Sequence, residues 1–188
     1  MKLKRSFFTR PAPEVAKELL GKYIVRLYRG RKISGRIVET EAYCGPPDRG
    51  SHAFGGKVTP RNKIMYHRGG HVYIYFIYGM YWLFNITTGL HDHPEAVLIR
   101  AVELPKRAAS GPGKFCQAFK LDKSFYGEDL TRSKKIWLEE GKAKAEARGR
   151  RPKEIIAQGP RIGIEYAGPY WAKKPWRFWI NNNPYVSR

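Results

Sequence analysis

The sequence predicts an α+β fold in one domain with antiparallel strand pairing. Three observations carry that reading. Strand-type runs are mixed with separate helical runs, without the strict alternation of a doubly wound sheet. Neighbouring strand runs are joined by short Gly-containing connections suited to hairpins. The chain has 188 residues, 42% of them hydrophobic and 14% aromatic, which suits a single core and excludes a mainly disordered basic protein.

The elements follow from periodicity. Residues 13–20 form a helix, with Val15 and Leu19 four apart and Gly21 as its stop. Tyr23–Tyr28 and 33–43 are strands joined through Arg29-Gly30. Residues 51–68 form a loop closed by Gly69-Gly70, and strands 71–78 and 81–87 flank Gly79. Residues 96–103 are a further strand, 114–121 and 133–140 are helices, and 161–164 and Arg177–Ile180 are closing strands. Segment 141–154 has six basic residues, two acidic ones and no large apolar side chain, and reads as a solvated basic loop within the one domain.

Lys and Arg number 36 against 16 Asp and Glu, a net charge of +20. Such imbalance points to a polyanion, nucleic acid before an acidic membrane surface. Cys44 and Cys116 are too few for a disulfide scaffold and lack zinc spacing. The start has no signal-peptide pattern, and the apolar run 72–86 is too short and too rich in Tyr, Gly and Asn to span a bilayer. The expected compartment is cytoplasmic (nucleoid, or nuclear in a eukaryote), not secreted, so the Asn85-Ile86-Thr87 sequon carries no glycan.

Three places could hold chemistry. On strand 33–43 a period of two puts Ile37, Glu39, Glu41 and Tyr43 on one face. The two glutamates either pair with basic side chains on an exposed face or include a general base in a cleft, where burial tunes a carboxylate. On strand 71–78, Tyr73 and Tyr75 share a face and Tyr78 ends the run. They either pack in the core or form a platform for unstacked bases. Asn85 and Arg100 interrupt apolar runs, where each needs a specific partner. Arg100 either neutralises a glutamate or holds a water or phosphate against it. The His91-Asp92-His93 turn with Glu95 matches no metal motif. Segment 110–114 (SGPGK) lacks P-loop spacing, though as a helix N-terminus it could touch phosphate.

Six segments, in order over residues 19–187, resemble the alkyladenine (3-methyladenine) DNA glycosylase family. They are ETEAYCGPPDRGSH (39–52), TPRNKIM (59–65), VYIYFIYGMYWLFNI (72–86), AVLIRAVE (96–103), SGPGKFCQAF (110–119) and the closing RIGIEYAGPYWAKKPWRFWI with PYVS. The resemblance implies a curved antiparallel sheet with flanking helices. It also implies a monofunctional glycosylase, without metal or cofactor, that flips an alkylated or deaminated purine out of double-stranded DNA and leaves an abasic site. Glu41 falls on the family's catalytic position, activating a water, and Arg100 on the arginine that helps position it. Tyr43, His52 and Tyr75 fall on base-stacking positions, and Asn85 on one that crowds a purine 2-amino group. Tyr78 matches the wedge that fills the gap, and Met65 a second apolar residue at the DNA surface.

Glu39 becomes a structural or supporting residue and Tyr73 a core one, and the motif in this sequence shows no lysine nucleophile, so no Schiff-base lyase step is expected. A monomer is expected. Ala53 and Cys44 depart from the family pattern. Two other readings compete: a binding protein that only captures an extruded base, and an RNA-associated protein with no such pocket.

Overall fold

The computed structural model of the chain describes residues 1–105, 107–141 and 154–187. β1 (Tyr23–Tyr28) and β2 (Arg31–Tyr43) form the expected hairpin, with Arg29 and Gly30 left-handed at its tip (φ 48° and 73°). Two such residues give a turn whose twist matches antiparallel strands. β3 (Val72–Ile77), β4 (Tyr81–Thr88) and β5 (Glu95–Leu104) follow as a meander, with β6 (Arg107–Ser110) folded back on β5. β7 (Ile136–Glu139), β8 (Ile156–Gly159) and β9 (Arg177–Ile180) complete an open, curved sheet of order β3-β4-β5-β2-β1-β7, in which β9 joins β2 and β8 joins β9. Every strand pairing among the described residues is antiparallel. The α+β expectation holds.

Among the described residues four helices flank the sheet: α1 (Arg5–Phe8), α2 (Ala12–Leu19), α3 (Pro112–Phe119) and α4 (Pro169–Ala172). α2 buries Ala12, Val15, Ala16 and Leu19, a one-sided stripe at helical spacing. It lies over β2, where the Thr40 hydroxyl donates to the Ala16 carbonyl at 2.9 Å. α3 packs Phe115 edge-on against Phe84 of β4, centroids 5.7 Å apart. Together they close a core that includes Ile37, Val97, Ile99 and Phe178.

The structure revises several sequence expectations. Residues 136–139, expected within a helix, are strand β7 paired with β1. The Ser133 hydroxyl accepts from the Lys135 and Ile136 backbones at 3.0 Å each, and this local turn competes with a helix start. Residues 161–164, expected as a strand, are irregular, with Gly163 at φ 76°. Strands β6 and β8 and helices α1 and α4 were not foreseen. Of the basic segment 141–154, only Gly141 and Glu154 lie within the described residues, and Glu154 pairs with Arg36.

One irregularity positions the site. Ile37 pairs with Val102, Glu39 with Ala101 and Thr40 with Ile99, so both β2 and β5 slip by one residue, at Val38 and Arg100. Bulges of this kind re-aim side chains and recur beside active sites. Ile37 consequently joins the main core and does not share a face with Glu39, Glu41 and Tyr43, which correct alternation had required. At the same point β2 changes its other neighbour, from β1, paired up to Arg36, to β9, paired at Glu39–Glu41.

Candidate active site

Glu41 leaves the bulge fully buried, 0% exposed. Its Oε1 accepts the Ile162 backbone N–H at 2.8 Å and lies 3.2 Å from Arg100 Nη1. Its Oε2 accepts the Tyr43 hydroxyl at 3.0 Å. A carboxylate offers about four lone-pair positions, two on each oxygen, so with two donors on Oε1 and one on Oε2 the remaining capacity lies on Oε2. Burial pushes the Glu41 carboxyl above its ordinary range, and Arg100, the Ile162 amide and the Tyr43 hydroxyl offset part of that rise. Burial works against the Arg100 charge too, but Glu41 and Glu39 outweigh it and hold the guanidinium cationic. Both glutamates pair with arginines, as one of the two alternatives held, but on a buried face and not an exposed one: each is at 0% exposure.

A cavity of about 340 Å³ is bordered by the three partners of this carboxylate, Tyr43, Arg100 and Ile162, together with His52, Tyr75 and Asn85, so Glu41 stands directly behind its wall. That size lies within the range of small-molecule pockets. The sheet supplies one side of the wall, with Tyr73 and Tyr75 from β3, Leu83 and Asn85 from β4, and Ala96 and Leu98 from β5, and loops supply the other. His52 stands edge-on to Tyr75, centroids 4.7 Å apart, and shares a 2.6 Å hydrogen bond with the Tyr73 hydroxyl. Its surroundings and the nearby Arg61 pull the imidazole from 6.5 to about 4, so the ring is neutral at pH 7. Asn85 is buried and donates to the Tyr73 carbonyl at 3.2 Å.

Tyr78 sits at the mouth, at the tip of the β3–β4 hairpin. It and Gly79 are both left-handed (φ 52° and 66°), and Met80 N–H closes the turn on the Ile77 carbonyl at 3.1 Å. The Tyr78 ring is 84% exposed. α3 braces the hairpin from below: a Cβ at Gly113 would come within 2.5 Å of the Tyr81 ring. Met65, by contrast, is not at the surface. It is 1% exposed in a cluster with Ala53, Ile64, Tyr73 and Ala96, because the short turn Lys63–Tyr66 folds it under the cavity. The exposed methionine of this region is Met80. His91 pairs with Asp92 on an exposed turn, while Glu95 accepts the Ala12 N–H of α2 at 2.6 Å.

Over residues 6–184 the sequence fits the family described as methylpurine-DNA glycosylase (MPG). The chain belongs to that family. Two proteins provisionally named 3-methyladenine DNA glycosylase are similar along their whole length. The one from Natranaerobius thermophilus is 43% identical, covering 100% of this chain and 99% of its own. The one from Methanocella arvoryzae is 42% identical, covering 99% and 96%. The mouse DNA-3-methyladenine glycosylase is 38% identical over 96% of this chain and 60% of its own. The protein is thus a DNA glycosylase of DNA repair, a hydrolase of N-glycosyl bonds. Among the described residues no helix is long and apolar enough to cross a membrane.

The glycosylase holds its pocket open with residues the sequence reading passed over. Arg161 and Asp48, both fully buried, pair in two parallel contacts of 2.6 and 2.8 Å. Asp48 also accepts the Cys44 and Gly50 amides at 3.0 and 2.9 Å, fixing the loop that presents His52. The Arg161 guanidinium lies 4.8 Å from the Tyr43 centroid; with its charge balanced by Asp48, it supports that ring without leaving a free cation behind the pocket. Tyr166, 72% exposed, completes the rim and donates to the Gly50 carbonyl at 3.2 Å. Asp48 lies inside the ETEAYCGPPDRGSH segment, but nothing local signals its partner 113 residues away.

Proposed function

We propose that the protein flips a damaged purine, alkylated or deaminated, out of duplex DNA into this cavity and hydrolyses its glycosidic bond with a Glu41-activated water. Tyr43, His52 and Tyr75 restack the extruded base, replacing part of the stacking lost from the helix. A neutral His52 suits this role, since an imidazolium would repel a cationic alkylpurine. Electron-rich rings favour such a base over a normal one, and Asn85 crowds the purine 2-position. Tyr78 fills the gap in the duplex.

In the chemical step the water proton moves to Glu41 and the water oxygen bonds to C1′. The C1′–N bond breaks with its electron pair passing to the base. An alkylated purine, positively charged beforehand, leaves neutral, whereas a neutral deaminated purine leaves as an anion that then takes up a proton from solvent. Arg100 orients the water and balances the carboxylate charge. No Schiff-base lyase step is expected, and a single chain suffices.

The observation that carries the reading is a fully buried carboxylate of raised pKa with one oxygen not fully engaged, held by three residues that line an aromatic cavity, in a family of DNA glycosylases. The test incubates the protein in EDTA with duplexes carrying one hypoxanthine or one ethenoadenine, and with alkylated DNA containing 3-methyladenine, then cleaves abasic sites with alkali. Strand breaks are expected. Their absence on all three substrates sinks the proposal.

A further inference from the structure

Glu39 lies behind the site, fully buried and surrounded by donors. Its Oε1 accepts from Arg100 Nε at 3.0 Å and from Arg177 Nη1 at 3.2 Å. Its Oε2 accepts the backbone N–H of Ser187 at 2.7 Å. The Ser187 hydroxyl accepts from Arg100 Nη2 at 3.2 Å, and the neighbouring Val186 carbonyl accepts from Ser110 at 3.3 Å. Two corners of the Arg100 guanidinium, Nε and Nη2, are therefore tied elsewhere, and its closest approach to Glu41 is made by the third, Nη1, at 3.2 Å from Oε1.

A guanidinium is a rigid planar fork, so fixing two corners fixes the third. Its preferred partner geometry is two parallel bonds to both oxygens of one carboxylate. An unrestrained Arg100 would turn that fork onto Glu41, cover the lone pairs a water needs and lower the basicity of the carboxylate. The geometry points to Glu39 and Ser187 as positioning residues that hold Arg100 to a single-oxygen contact and so keep Glu41 available as a base. This rests on the reading of Glu41 as the base. The Glu39 charge acts in the same direction, since it raises Glu41 by repulsion.

The test compares wild type, Glu39→Gln, Ser187→Ala and Glu41→Gln in single-turnover cleavage of whichever lesion duplex is cut fastest, across pH. Glu39→Gln is expected to lower the plateau rate by about 10- to 100-fold, the scale of a misplaced catalytic group, and to move the acid limb to lower pH. Affinity for the damaged duplex stays unchanged, because Glu39 is shielded from it. Ser187→Ala removes one tether only, and a smaller loss with the same shift is expected. An unmoved acid limb in both variants overturns the proposal, even where rates fall with the folded fraction. Should Glu39→Gln not fold, Ser187→Ala decides, and wild-type rate and limb there overturn it. An active Glu41→Gln removes the base reading and this inference with it, whereas an inactive Glu41→Gln beside unaltered Glu39→Gln and Ser187→Ala overturns the positioning role alone.

Discussion

Glu41 shows how function and stability oppose each other in a single side chain. Its pKa is raised by burial, so the folded state favours the protonated form. The stability linked to that proton is present at acid pH and is lost as pH rises through the folded value. At neutral pH the ionised base is therefore a net cost. Glu41→Gln is expected to reduce single-turnover cleavage by about 100- to 10,000-fold, the usual worth of a general base. It should also raise the melting temperature at pH 7.5, with the gain shrinking towards pH 4. A melting temperature that falls at neutral pH contradicts the raised pKa. His52 carries the opposite sign: depressed to about 4 by burial and Arg61, it should read as neutral imidazole by nitrogen NMR at pH 6. A protonated ring there would refute the stacking argument. At this scale much of the candidate site was legible, because carboxylates and an arginine in apolar strands are anomalies in the pattern itself. The bulge was not, and it misplaced Ile37. Nor were the Ile162 amide and Ser187, which reach Glu41 and Glu39 from 121 and 148 residues away.

Among the elements, the β3–β4 hairpin, like the β1–β2 hairpin with Arg29, carries a non-glycine residue in the left-handed region at its tip. A left-handed tyrosine costs roughly 1–2 kcal/mol relative to the right-handed region, and strain of this kind collects at functional positions. Tyr78→Gly should relieve it, leaving thermal stability equal or higher, while binding to damaged duplex weakens. Fluorescence titration beside a melting curve checks both, and unchanged affinity would remove the wedge role. The loop carrying His52 has the contrary design, a buried Asp48–Arg161 pair fixing its backbone. Removing one partner of such a pair typically costs about 3–5 kcal/mol. Asp48→Ala is expected to lose stability on that scale by denaturant unfolding, and a loss below about 1 kcal/mol would show that the pair is not what holds the loop. Hairpins and amphipathic helices were readable because their signals are periodic and local. Ile136–Glu139 was not, since a four-residue apolar run fits either period and its pairing with β1 is set by tertiary contacts.

For the whole molecule, the net charge of +20 and the pocket divide the work of finding and choosing a lesion. Phosphate contacts release counterions, so log K falls with log[salt] at about −0.9 per phosphate neutralised. Such contacts position a protein without reading bases. The groups around the proposed base are a different population: Glu39, Glu41, Arg100 and Arg177 sum to zero when ionised, as do Asp48 and Arg161, and five of these six are buried. Buried, internally balanced charges respond weakly to bulk salt. Binding to intact and damaged duplexes should therefore weaken with added salt along parallel lines, with the offset between them independent of ionic strength. Titrations from low to physiological salt on matched duplexes measure both. A steeper slope for the damaged duplex would mean that flipping recruits additional phosphate contacts, and that surface charge takes part in choosing the lesion.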